Sequence, residues 1–288
     1  MICSQVFLLL LVPLCTASFA FGVLVPEEVQ ALKDIAKTTG KTDWDFSVDP
    51  CSGKSNWVKN LPLVGEENAV TCNCSVVNAT LTLCHVVSIA VKEENLQGTL
   101  PAELVRFPYL YEIDLSRNYL NGTIPKEWGS MKLLNISLRG NRLTGPIPKE
   151  LGNITTLKNL ILEFNQLSGN LPPELGNLLQ IDRLQLTSNK FTGEIPATFA
   201  RLTTLTDFRV ADNQLSGTIP SFIQRWTRLN KLVIEASGLS GPIPSEISFL
   251  TNLLDLDLSF NKLSGQIPSG YYGLRRVLYM KPAHWTSA

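Results

Sequence analysis

Asp255 and Asp257 alternate within LLDLDLSF, so an extended segment would present both carboxylates on one face. Two carboxyls so placed could serve as general acid and base, or hold calcium weakly. Charged outward positions are also what any solvated strand shows, and nothing else in the chain completes a reaction centre. His85 and His284 lie near the two ends with no nucleophile in register. Four cysteines, Cys51, Cys72, Cys74 and Cys84, cluster in one short stretch and could ligate zinc. Cys72 and Cys74 leave only one residue between them, whereas zinc pairs usually leave two or more. The residue types therefore favour binding and covalent bracing over catalysis; no catalytic residue, metal or cofactor is expected.

Disulfides need an oxidising compartment, and the N-terminus supplies a route to one. The run VFLLLLV from Val6 to Val12 is too short to span a bilayer, and no charged residue precedes Glu27. It reads as a secretory signal within residues 1–22, with Ser18 and Ala20 as the small residues at a cut after Ala20 or Gly22. Removing it takes Cys3 and Cys15 and leaves the four clustered cysteines, which allow three pairings. SVVNATLTL reads as two short strands around a turn, which sets Cys74 against Cys84 and leaves Cys51 for Cys72. Sequons at Asn73, Asn78, Asn121, Asn135 and Asn153 fit the same compartment. No later segment has the length and apolarity of a membrane span.

With 25 Lys+Arg against 25 Asp+Glu, the charge is balanced, and no basic run offers a footprint for nucleic acid. At 44% hydrophobic and 17% charged, the chain is not of disordered composition. What organises it is a repeat. Aligning Gly-x-Ile/Leu-Pro places prolines at 101, 125, 148, 172, 196, 220, 244 and 268, eight copies with a period of 24 broken once by 23. Each copy alternates, as in Ile113-Asp114-Leu115, Leu184-Gln185-Leu186 and Leu256-Asp257-Leu258, which predicts a short strand with one face inward. Stacked about 4.8 Å apart, eight such strands make a concave sheet roughly 34 Å long, room for about ten residues of extended peptide.

An inward Asn follows each strand, at Asn118, Asn141, Asn165, Asn189, Asn213 and Asn261, and this ladder is expected to bond the backbone of successive coils. Glu94 and Ser237 occupy the same place in repeats one and seven and should weaken it at two points. Segments such as Gly217-Thr218-Ile219-Pro220 turn the chain on the outer side. Ahead of the repeats, PEEVQALKDIAKTTG predicts a short amphipathic helix with Val29, Leu32, Ile35 and Ala36 on its apolar face. It caps a core edge that water would otherwise reach.

The pattern L-x-x-L-x-L-x-x-N-x-L-x-G-x-I-P resembles the leucine-rich repeat of the plant extracellular type, over roughly residues 87 to 279. DPCSGKSNWV, VTCNC, NLQGTLPAEL and YEIDLSRNYLNGTIPKEW resemble the ectodomain of plant leucine-rich repeat receptor-like serine/threonine kinases of the malectin-domain-containing subgroup. The resemblance implies a right-handed α/β repeat solenoid with a parallel concave sheet and a disulfide-bonded cap. It divides the chain into a capping region at 23–86, eight repeats at 87–273 and an aborted ninth repeat and tail at 274–288. There the register calls for an apolar residue at 282 and Asn at 285, where the chain has Pro282 and Trp285; the chain is therefore expected to be truncated relative to these kinases. Malectin-like and membrane-spanning segments, and the Gly-rich loop, HRD and DFG of a kinase, do not occur in it.

The implied role is an extracellular ligand-binding or co-receptor ectodomain, at the plasma membrane as part of a longer receptor or free as a decoy. Its partners would be a peptide, carbohydrate or protein ligand and a co-receptor. A secreted inhibitor of wall-degrading enzymes, like the polygalacturonase-inhibiting proteins, is the alternative, though those carry a C-terminal cysteine cap. A glycan on Asn135, an outward strand position, would cover the N-terminal half of the concave face and push a ligand toward repeats four to eight. The candidate contacts are Glu163, Phe164, Arg183, Gln185, Asp207, Arg209, Asp212, Lys231, Val233, Glu235, Asp255, Asp257 and Phe260. Phe164, Val233 and Phe260 would be exposed apolar anchors among fixed charges.

Overall fold

The computed structural model describes residues 22–54, 57–60, 67–78 and 81–266. The signal segment, the tail from residue 267 and His284 lie outside them. Eight three-residue stretches pair in parallel, from Ser88 to Ala90 in the first repeat, then Glu112–Asp114, Asn135–Ser137, Asn159–Ile161, Arg183–Gln185, Asp207–Arg209, Lys231–Val233 and Asp255–Asp257. Their middle residues, Ile113, Ile136, Leu160, Leu184, Phe208, Leu232 and Leu256 from the second repeat onward, are buried and in register. Inward alternation and a 24-residue period thus yield one continuous apolar core.

The returning leg of each of the first seven repeats is a five-residue 3₁₀ turn that starts after the repeat proline, as in Pro173–Asn177 behind Pro172. Pro fixes φ at the turn's entry, and five residues are too few for an α-helix to gain by cooperativity. Among the described residues the one α-helix is Pro26–Thr39, closed by Gly40 at φ 79°. Between strand and turn, Thr144–Gly145, Gln166–Asn170, Lys190–Gly193 and Gln214–Leu215 form a second small parallel sheet. The Gly-x-Ile/Leu-Pro segments enter it through glycines with positive φ, such as Gly169 at 82°.

The cap is built more tightly into the solenoid than a boundary at 86/87 allows. Strand Leu81–Ala90 runs across that boundary, pairs antiparallel with Glu67–Asn78 and hands its last three residues to the first repeat. The two strands are 12 and 10 residues long, beyond the short hairpin expected, because the concave sheet continues into them. Disulfides join Cys51 to Cys72 and Cys74 to Cys84. The helix buries Ala31, Leu32 and Ile35 in the core and packs beside the turn Ala102–Arg106, while buried Glu28 ties it to the hairpin. Glu28 accepts the Val86 N–H at 2.7 Å and holds the His85 ring at 2.6 Å. His85, read as an isolated histidine, is thus a partner of that carboxylate and also packs on Tyr109.

Glu94 corrects another expectation, that a non-Asn residue weakens the ladder. Asn118 Oδ1 still accepts from Glu94 N and Leu96 N, and cap residue Asn68 exchanges hydrogen bonds with Lys92. The Glu94 carboxylate meets Lys59 at 3.0 Å, Lys41 at 3.2 Å and the Asn68 amide at 2.9 Å. Burial pushes its pKa up, yet these partners outweigh it and hold the carboxyl below its ordinary 4.5. A folded value below the unfolded one contributes stability above the unfolded pKa and loses it as pH falls through the folded pKa. Glu94→Gln is therefore expected to melt earlier than the parent at neutral pH. The two curves should converge as pH drops well below 4.5, which thermal melts along the acid limb will test.

Candidate concave binding face

Two outward residues per strand, and the two that follow, make four columns across the concave sheet. The last column adopts left-handed backbone at every coil: Glu93, Arg117, Gly140, Phe164, Ser188, Asp212, Ala236 and Phe260 all have positive φ. The chain must bend sharply there to send the next residue, the ladder Asn, inward. A bulky side chain in this region is strained, so the phenylalanines at φ 57° gain nothing locally from being phenylalanine. Both project: Phe164 is 47% exposed and Phe260 77%.

Glu163 and Gln185 depart from the expected exposed arrangement, since both are buried. A concave sheet crowds its outward side chains, and neighbouring repeats roof these two over. Glu163 lies between Arg139 Nε at 3.7 Å and Arg209 Nη1 at 3.9 Å, close enough for attraction but beyond hydrogen-bond reach. Burial raises its pKa, more than the two guanidiniums lower it. Arg209 is clamped by Asp207 through Nε at 2.8 Å and Nη2 at 2.5 Å, which holds the guanidinium's pKa above its ordinary value. Gln185 donates to the same carboxylate at 2.8 Å. Val233 is half-buried and is not the exposed anchor expected of it.

Farther along, Lys231 pairs with Asp255. Asp257 accepts from Ser259 N and Oγ, so the acids that alternate on this strand have separate local partners. Glu235 is raised in pKa by burial and then by repulsion from Asp257 and Asp212. Arg183 and Asp212 are exposed. Among the described residues no cluster of His, Cys, Asp and Glu could hold a metal.

Arg139 stands on the same face, although the glycan expected on Asn135 in its repeat kept it out of the candidate contacts. Its guanidinium lies 5.0 Å from the centre of the Phe164 ring and also faces Glu163. Its column was the available signal: Arg139 precedes Glu163 by one repeat, so opposite charges abut. Asn135 is half-buried and its Oδ1 accepts from Asn159 at 2.6 Å. Asn121 donates to Gln97 O, Asn73 and Asn153 are exposed, and the Asn78 side chain lies outside those described.

The ladder itself runs continuously. In each step the amide oxygen accepts an N–H from the preceding coil, as Asn141 does from Leu120, Asn165 from Leu143 and Asn213 from Phe191. The NH₂ donates to carbonyls of its own coil and the one before. At Ser237 the step is repaired, with Leu215 N bonding the Ser237 carbonyl. Asn261 Oδ1 there accepts from Ser237, Gly238 and Leu239 N–H groups. This column therefore rigidifies the face without taking part in it.

The Leucine Rich Repeat family pattern matches residues 109–131, 132–154, 156–178 and 252–274. A probable leucine-rich repeat receptor-like serine/threonine-protein kinase of Arabidopsis thaliana is 52% identical over 143 residues, 49% of this chain and 14% of that kinase. The chain therefore aligns with only a small part of such relatives. Among solved structures, the Arabidopsis receptor kinase HAESA in complex with the peptide hormone IDA and the co-receptor SERK1 is similar, with a TM-score of 0.71 at 30% identity. That likeness covers 87% of this chain and 40% of HAESA. The plant peptide hormone receptor RGFR1 in complex with RGF2 gives 0.64 at 37% identity, over 66% of this chain and 30% of the receptor. No helix among the described residues is long and apolar enough to cross a membrane.

Proposed function

We propose that this chain, which carries leucine-rich repeat matches and is similar to part of plant receptor-like serine/threonine kinases, is an extracellular recognition module, the ligand-binding portion of such a receptor. Its concave face over repeats four to eight takes an extended peptide. The observation that carries this reading is the pair of exposed phenylalanines, Phe164 and Phe260, held in strained backbone at either end of an ion-paired floor. Aromatic anchors beside fixed charges are what concentrate binding energy in interfaces. Peptide recognition also fits the dimensions of the face, and the similar receptors were solved with peptide hormones. On this reading the chain recognises and docks, and phosphoryl transfer is no part of its work.

The test is a peptide screen against the secreted protein, followed by titration of a hit against variants. Phe164→Ala and Phe260→Ala should each weaken binding by about tenfold or more. Leu179→Ala, equally exposed beside the outer turn Pro173–Asn177, should leave it unchanged. A hit whose affinity ignores both phenylalanines would sink the proposal.

A further inference from the structure

On the outer side, the 3₁₀ turns Ala102–Arg106, Lys126–Ser130 and Lys149–Asn153 border an open, shallow groove of about 540 Å³. Its floor is Gly129, where a Cβ would stand 2.4 Å from the Glu150 carbonyl oxygen, so the turns approach with no side chain between them. Val105, 39% exposed, makes an apolar wall. Lys126, Glu127 and Glu150 supply a polar rim, and Asn153 stands at the edge.

Asn153 opens the sequon Asn153-Ile154-Thr155, is exposed, and makes no side-chain hydrogen bond among the described residues. By contrast, the Asn121 and Asn135 side chains are engaged by neighbouring coils. Asn177 holds the same place one repeat on, but Leu179 stands where a hydroxyl is required. A groove with one apolar wall, a polar rim and an attachment point at its edge suits an N-acetylhexosamine. Such a sugar has an apolar ring face and acetamide methyl, surrounded by hydroxyls that carboxylates can accept from.

We propose that Asn153 carries an N-linked glycan whose first sugars lie back into this groove, against Val105 and Gly129. This rests on the reading above that the chain is secreted. In the transfer, the Asn153 amide nitrogen bonds the anomeric carbon of a lipid-linked diphospho-oligosaccharide. The carbon–oxygen bond to the diphosphate breaks, the diphosphate leaves with the electron pair, and the amide gives up one proton. The glycan then covers the outer turns of the early repeats and leaves the concave face over repeats four to eight free.

The experiment uses the full chain secreted from a eukaryotic host, with each sequon read by mass spectrometry during native digestion by a peptide N-glycosidase. Release rates are normalised to those of the heat-unfolded protein. The Asn153 glycan should be released about tenfold more slowly than the one on Asn73, because the sugars must first leave the groove. Val105→Asp, a change at an exposed position that keeps the sequon, should remove the difference. Occupancy at Asn73 with none at Asn153, equal normalised rates, or slow release that survives Val105→Asp would each overturn the proposal while leaving secretion intact. Absence of glycan at every sequon would overturn it together with the secretion reading.

Discussion

Asn189→Ala is expected to lower the unfolding free energy by about 3 kcal/mol, a large share of what a domain has to lose. The side chain is buried, so water cannot replace what it does. Its Oδ1 accepts the Leu167 N–H at 3.0 Å, and its NH₂ donates to the Leu162 and Leu186 carbonyls at 3.0 and 3.1 Å. Alanine orphans the Leu167 N–H, which alone costs about 1–3 kcal/mol, and takes one of two side-chain donors from each of the Leu162 and Leu186 carbonyls, which keep the Asn165 and Asn213 amides. Repeat seven shows how else the step can be closed: a serine suffices there because Leu215 N turns to the Ser237 carbonyl and Asn261 takes three N–H groups. That solution needs a backbone that includes Gly238 at φ 94°, and repeat five has Lys190 in the corresponding place. Denaturant titration of Asn189→Ala will decide the matter; a loss below about 1 kcal/mol would mean that the coil relaxes around the missing amide.

The regular part of the molecule was legible because its determinants are local and repeat. A 24-residue period, two-residue alternation and a fixed Asn are enough to specify the parallel sheet, the ladder and the solenoid. What sequence could not show was produced by contacts between residues far apart along the chain. Glu28 sits in the first turn of a helix, where an acid is ordinarily solvated, and only the Val86 N–H, 58 residues on, explains its burial. Glu94 looked like a gap in the ladder until Lys41 and Lys59 converged on it. Likewise, alternation correctly turned Glu163 and Gln185 toward the concave side. It could not reveal that curvature folds Arg139, Asp207 and Arg209 over them, so the face offers fewer free charges than its sequence implies.

Arg209→Ala should destabilise the protein by about 2–3 kcal/mol at neutral pH, at or below the lower end of the roughly 3–5 kcal/mol for breaking a buried pair because the guanidinium is 30% exposed. It removes both the clamp on Asp207 and the stronger of the two attractions that Glu163 receives from arginine. Glu163 already has a folded pKa above its ordinary 4.5, so what it contributes to stability is complete below 4.5 and is lost as pH rises through the folded value. Deleting Arg209 raises that folded value further. The variant's deficit should therefore be largest at neutral pH and shrink as pH falls toward 4.5, the same direction as the Glu94→Gln deficit although the folded pKa values of the two carboxyls are displaced oppositely. Neutralising the carboxylate should act like acid: Arg209→Ala with Glu163→Gln should recover part of the loss at neutral pH and flatten the dependence. Additive effects with parallel pH profiles would show that the Asp207 clamp alone carries Arg209's contribution. Coupling would place the buried Glu163 at the centre of the concave floor, with Arg139 and Phe164 positioned by it.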